Sequence, residues 1–137
     1  NNTNSFEHIV SNPPFFEAGS LPTEKERLDA RHTASLSLEE LINGCEKLLP
    51  LQGRCSFILP PEQAEKLIEL GIKKDLNLSR ITYVQPLEHK KVERVLLELT
   101  KGIKKTIGPQ KLIIQHKGRN NWTDAYISLT KDFYLKM

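Results

Sequence analysis

The stretch Phe6-Glu7-His8-Ile9-Val10-Ser11-Asn12-Pro13-Pro14-Phe15 decides how the rest of the chain is read. Phe6 to Val10 alternates and then turns apolar, the pattern of a short strand. It stops at Ser11-Asn12-Pro13-Pro14, where two prolines remove backbone donors, so the strand cannot continue and a rigid loop follows. With proline near 5% of average usage, an Asx or Ser followed by two prolines and an aromatic arises by chance at roughly one position in ten thousand, of order one per cent for a chain of this size. Asn-Pro also marks ordinary turns.

Working outward, Phe15 to Ser35 mixes Gly19, Pro22 and many charges with little periodicity, a long loop of the kind that carries function, with room for a helical turn at Thr23 to Arg31. Ser37 stands as an N-cap with Glu40 three residues on, and Leu38, Leu41, Ile42, Cys45, Leu48 and Leu49 recur at helical intervals until Pro50 and Gly53. Arg54 to Leu59 reads as a strand stopped by Pro60-Pro61, and Glu62 to Leu70 as a helix ended by Gly71. Leu78 to Val84, closed by Pro86, and Glu93 to Leu99 are two more strands, and the short basic link from Gln85 to Val92 suits antiparallel neighbours. Lys111 to Gln115 adds a strand, Gly118 to Asn121 a turn, and Thr123 to Leu135 a short amphipathic helix. The expected class is α/β, with parallel strands ending in an antiparallel pair.

Composition sets outer bounds. At 137 residues, 38% hydrophobic and 27% charged, the chain can bury a core without disulfides or metals. No apolar run approaches the roughly 20 residues of a membrane helix, and Asn1 to Ser5 does not resemble a signal peptide. Cys45 and Cys55 form no CxxC pair and read as reduced, buried thiols of a cytoplasmic protein. The net charge of +3 conceals an asymmetry: residues 1–68 balance at −4 and residues 69–137 at +7. Lys73, Lys74, Arg80, Lys90, Lys91, Arg94, Lys101, Lys104, Lys105, Lys111, Lys117 and Arg119 cluster in the basic half, which suits a surface that meets phosphates or an ordinary solvated one. Trp122 and Tyr126, four apart, are expected to pack together rather than to stack on a base. His8 reads as structural, and His89 and His116 show no metal-ligand spacing.

The segment IVSNPPFF resembles motif IV of the amino-methyltransferases that use S-adenosylmethionine, in which the tetrapeptide follows the fourth strand of a Rossmann-like sheet. The resemblance runs on through Ala30-Arg31-His32, LPLQGRCSFILP at Leu49 to Pro60, the strand VERVLLELTK and the tail LTKDFYLKM at Leu129 to Met137. Together these resemble the C-terminal part of the valine-tRNA adenine-N6 methyltransferases; few other methyltransferases end in such a tail. The resemblance implies a fold, the C-terminal part of a class I methyltransferase sheet, and one domain of which residues 1–137 are the C-terminal portion.

It also implies roles. The exocyclic N6 of adenine is a poor nucleophile because its lone pair is delocalised, so a site must hold the amine in line with the methyl carbon. In the family pattern the Asn12 side-chain oxygen and the Pro13 carbonyl accept from the amine, Pro13 and Pro14 fix the carbonyl direction, and Phe15 offers a face to the base. Arg31 and His32 then belong near the mouth of the site, although Arg31 is equally suited to pair with Glu24 or Glu26, and Phe16 serves either as pocket wall or as core. Lys90, Lys91 and Arg94 are the candidate RNA contacts, and tRNA the implied partner.

The same resemblance implies S-adenosylmethionine as cofactor, with Asn12 at the edge of its site. The seven glycines are all isolated, and no GxGxG-like loop exists to approach a cofactor. The chain is therefore expected to be an inactive fragment, with an open edge at its first strand through which it self-associates or binds a missing half. Related motifs serve DNA adenine, ribosomal RNA guanine-N2 and protein glutamine methylation; a non-catalytic RNA-binding module is the reading from another class, and it leaves Asn12 to Phe15 without purpose.

Overall fold

The computed structural model describes residues 6–13, 38–117 and 120–132. In chain order these form β1 (His8–Ser11), α1 (38–48), β2 (Arg54–Leu59), α2 (Pro61–Ile72), β3 (Leu76–Leu87), β4 (Arg94–Lys101), β5 (Gln110–Gln115) and α3 (Asp124–Thr130). The five strands make one sheet in the order β1-β2-β4-β3-β5. β1 runs parallel to β2 and β5 parallel to β3, whereas β4 is antiparallel to both of its neighbours.

The alternation in β2 separates the two faces. Cys55, Phe57 and Leu59 are buried, and across the ladder they meet Leu99, Leu97 and Val95 of β4. Leu38, Ile42, Cys45 and Leu49 from α1 and the segment just after it, with Ala64 and Leu67 from α2, complete that core. Each such large side chain gains about 1.5–3 kcal/mol by leaving water. α2 starts well because Pro60 and Pro61 both end the preceding strand and preset φ for the first helical turn, where Glu62 adds a favourable charge. It runs past the expected stop at Gly71 to Ile72, and at Gly71, inside the last turn, a Cβ would lie 2.8 Å from the Leu76 carbonyl oxygen and 3.0 Å from Leu99 Cδ1.

The opposite face carries His8, Val10, Arg54, Ser56, Ile58, Leu96 and Glu98, and neither α1 nor α2 covers it. Its far end is polar: Thr100 donates to Ser79 Oγ at 2.8 Å, Ser79 to Glu98 Oε1 at 2.9 Å, and Arg54 approaches Glu98 at 3.5 Å. Val10 is 70% exposed.

Most elements differ from expectation by one to three residues at an end, and α3 stops at Thr130 rather than Leu135; three differences bear on the architecture. β3 does not close at Pro86 but runs through it to Leu87. Pro86 shares the parity of Val84, whose carbonyl accepts from Glu93 N–H on the β4 side, and pairing with β4 ends at Val84 opposite Arg94. The missing N–H therefore points where no ladder continues. β5 joins parallel to β3, so the antiparallel pair is followed by one more parallel partner. Thr123 is an N-cap rather than the first helical residue, its hydroxyl accepting from Tyr126 N–H at 3.2 Å. The expected cap at Ser37, the loop from Phe15 to Ser35 and the tail beyond Asp132 lie outside the described residues. Among the described residues no helix is long and apolar enough to cross a membrane.

Candidate active-site edge

Strand direction sorts the functional candidates. β1, β2, β3 and β5 point the same way, so their carboxyl ends share one end of the sheet with the start of β4. Asn12 and Pro13 follow β1 directly at that end, Asn12 exposed and Pro13 buried. Ser11 is level with Phe57 of β2, and Phe57 with Leu97 of β4. Pro14, Phe15, Phe16, Arg31 and His32 lie outside the described residues.

The link between β3 and β4 occupies the same end. Lys90 and Lys91 are exposed on it, and Arg94 opens β4 half-buried, donating from Nη1 to the Glu93 carbonyl at 2.8 Å. The link is held from within: Lys90 N–H bonds the Leu87 carbonyl at 3.1 Å, and buried Gln85 donates from Nε2 to the Lys90 carbonyl at 2.7 Å. Gln85 Oε1 has no hydrogen-bond partner among the described residues. Arg94 lies two strands across from Asn12 and two residues farther along, about 12 Å by strand spacing and rise. The structure thus brings Asn12 and the basic link to one edge without placing them in contact.

Only part of the basic half is here. His116 and Lys117, just past β5, join this edge, whereas Lys73, Lys74, Lys104 and Lys105 lie at the opposite end, beside the start of β3 and after the end of β4. Gln85, His116 and Trp122 were not singled out for this edge from the sequence; the apolar alternation of β3 and β5 was the available signal, but it gives no strand direction. Trp122 bridges Gln115 and packs against Tyr126, ring centroids 5.4 Å apart and tilted by 38°, which is the packing expected of that pair.

The two thiols are elsewhere. Cys45 on α1 and Cys55 near the start of β2 are both free and buried. A side-chain hydrogen bond with Cys45, and then burial, push the Cys55 thiol well up from its ordinary value. Among the described residues the glycines do not serve the edge either: Gly44 lies in α1, Gly53 precedes β2, Gly71 lies in α2, Gly102 follows β4 and Gly108 precedes β5. Among the described residues nothing resembles a glycine-rich cofactor loop at the carboxyl end of a strand.

No protein-family model matches the chain. Over 132 residues, 96% of its length, it is 38% identical to the tRNA1(Val) (adenine(37)-N6)-methyltransferase of Vibrio campbellii and 40% identical to that of Vibrio parahaemolyticus. It spans 54% of each, about half the length of the curated relatives it matches. A predicted O-methyltransferase from Agrobacterium tumefaciens superposes with a TM-score of 0.68 at 19% identity, covering 94% of this chain and 52% of that one. The fold is therefore that of part of a class I methyltransferase sheet. In sequence the chain is a relative of the tRNA1(Val) (adenine(37)-N6)-methyltransferases, and it fits the C-terminal part of such a protein.

Proposed function

We propose that residues 1–137 are the C-terminal portion of a single methyltransferase domain, and that the whole protein transfers a methyl group from S-adenosylmethionine to N6 of an adenine in tRNA. The observation that carries this reading is the identity of 38–40% with relatives of that name, across a stretch that includes Asn12 to Phe15. Asn12, Pro13, Pro14 and Phe15 are the amine-holding group: two acceptors orient the nitrogen and one ring supports the base. No strong general base is required, because the amine proton becomes acidic as nitrogen gains the methyl group.

This chain does not by itself supply a fitting cofactor site. Its glycines stand singly in the sequence and, where described, away from Asn12, so the methyl donor rests on surface beyond these residues. The backbones of Asn12 and Arg94 stand about 12 Å apart on one edge, a spacing that suits a base at one and a phosphate of the same strand at the other. Lys90, Lys91 and Arg94 are then phosphate contacts, and Phe16, Arg31 and His32 belong to the substrate pocket. The protein acts in the cytoplasm, where tRNA is modified. The chain alone is inactive, and β1, terminal in the sheet, is an edge through which it self-associates when unpartnered.

The test uses the full-length protein on unmodified tRNA. Asn12→Ala should lower the rate of N6 methylation by about 100- to 1,000-fold with little change in tRNA affinity. Undiminished methylation would remove Asn12 from its role.

A further inference from the structure

At the end of the sheet away from Asn12, the chain passes from β4 to β5 across the start of β3. Gly102 N–H bonds the Asp75 carbonyl at 2.9 Å, Thr106 Oγ1 donates to the Leu78 carbonyl at 2.7 Å, and Ile107 N–H bonds the Ser79 carbonyl at 2.9 Å. These bonds hold Lys104 and Lys105 beside the α2–β3 turn, where Lys73 caps α2 and Lys74 follows it. All four lysines are exposed. Counting along the chain through the Gly102–Asp75 bond, the backbones of Lys74 and Lys104 lie within about 17 Å of each other. Like charges gathered this way repel, and the chain offsets little of it. Glu69 and Asp75 are the only acidic residues in 69–79 and 100–109, and Asp75 accepts from Asn77 Nδ2 at 2.9 Å. Among the described residues none of the four lysines makes an ion pair or a side-chain hydrogen bond. The carboxyl end of α2 suits Lys73 and Lys74, but Lys104 and Lys105 belong to no helix.

A cluster this wide matches a chain of phosphates rather than one anion. Lysine ammoniums are point charges that hold phosphate without reading sequence. Residues 69–79 and 100–109 contain no aromatic side chain on which a base could stack, so the matching form is a paired stem that presents its backbone, not a single strand. Position agrees. The start of β3 stands three strands across from Asn12 and five residues back, about 22 Å by strand spacing and rise. At about 3.4 Å per stacked nucleotide that is roughly six steps, past a loop holding the target base and into the stem behind it.

We infer that Lys73, Lys74, Lys104 and Lys105 form a second tRNA contact, which holds phosphates of a paired stem while the loop with the target adenine lies at Asn12. The inference rests on the reading of the whole protein as a tRNA methyltransferase, and adds to it a sequence-independent site at the far end of the sheet. Such a site responds to the length of the RNA. The lysines at the β3–β4 link meet the loop, and these four meet what lies behind it.

The experiment measures binding of the full-length protein to two unmodified RNAs as a function of salt, without cofactor: a whole tRNA, and a short hairpin that keeps only the target loop and two base pairs. Replacing all four lysines with Gln should lower the slope of log affinity against log salt by about 3 on the tRNA and by less than about 0.5 on the hairpin. Lys104→Gln with Lys105→Gln, both outside helix and strand, should give about half that fall, and decides the matter if the fourfold variant does not fold. Methylation by the unaltered protein is measured separately. A protein that binds tRNA through these lysines yet transfers no methyl group loses the functional reading and keeps this one. An unchanged slope on tRNA overturns the inference and leaves the cluster to an acidic protein surface. So does an equal fall on both RNAs, which would put the lysines beside the target loop.

Discussion

Lys101 ends β4 and at the same time closes α1. Its ammonium donates to the Glu46 carbonyl at 2.6 Å and to the Leu49 carbonyl at 2.9 Å, at the end of the helix, where carbonyls outnumber the backbone N–H groups that can reach them. A cation also suits the negative end of the helix dipole. The bonds are charge-assisted and partly shielded, so Lys101→Met, which keeps the aliphatic stem, should cost about 1.5–3 kcal/mol in a denaturant melt. A loss below about 0.5 kcal/mol would mean that water replaces both bonds. Nothing in the sequence around Lys101 marks it out from the other basic residues of that half. Its acceptors lie 52 and 55 positions away, and only the packing of α1 beside β4 makes them partners.

At the scale of elements, the α2–β3 corner depends on close backbone approach. Gly71 lies where a methyl group would press on the Leu76 carbonyl, and Asp75, at φ 58°, turns the chain with its carboxylate accepting from Asn77 Nδ2 at 2.9 Å. Gly71→Ala should destabilise by about 1–3 kcal/mol despite the better helix propensity of alanine, read as a lower thermal midpoint. The β3–β4 link offers a functional counterpart. If Lys90 and Lys91 meet phosphates, replacing both with Ala in the full-length protein should reduce the slope of log affinity for tRNA against log salt by about 2. An unchanged slope would return these lysines to simple solvation.

Much at this scale was legible. Arg54–Leu59 is a strand to the residue, because alternation and two following prolines bound it unambiguously. The end of β3 was not, because proline stops a strand only where its N–H is needed, and that depends on where the neighbouring strand ends. Asn12 and Pro13 were legible as the residues after a strand; Pro14 and Phe15 lie outside the described residues. The basic residues were legible as a population but not as a site. Lys90 and Lys104 look alike in sequence, yet strand direction sends one to the Asn12 end and the other to the opposite end.

For the whole molecule, the distribution of glycines and the uncovered sheet face point the same way. One face is packed by two helices, and the other presents Val10, Ile58 and Leu129 to water. Calorimetry on the 137-residue chain with S-adenosylmethionine should give no measurable heat of binding at ligand concentrations up to about 100 μM, where a site with a Kd of about 1 μM would saturate. Micromolar binding would show that the chain builds a cofactor site without glycine-rich support.

The position of β1 has a consequence for local stability. Asn12 hangs from a four-residue strand that, among the described residues, is held on one side only, by four register pairs with β2. β4, by contrast, is clamped between two neighbours over nearly its whole length. The free energy needed to detach β1 is thus a small part of that needed to unfold the core, and its amide hydrogens will exchange with solvent long before those of β4. The acceptor pair proposed at Asn12 and Pro13 is mounted on the least protected strand of the sheet, and pairing of another strand along β1 would sharpen its aim.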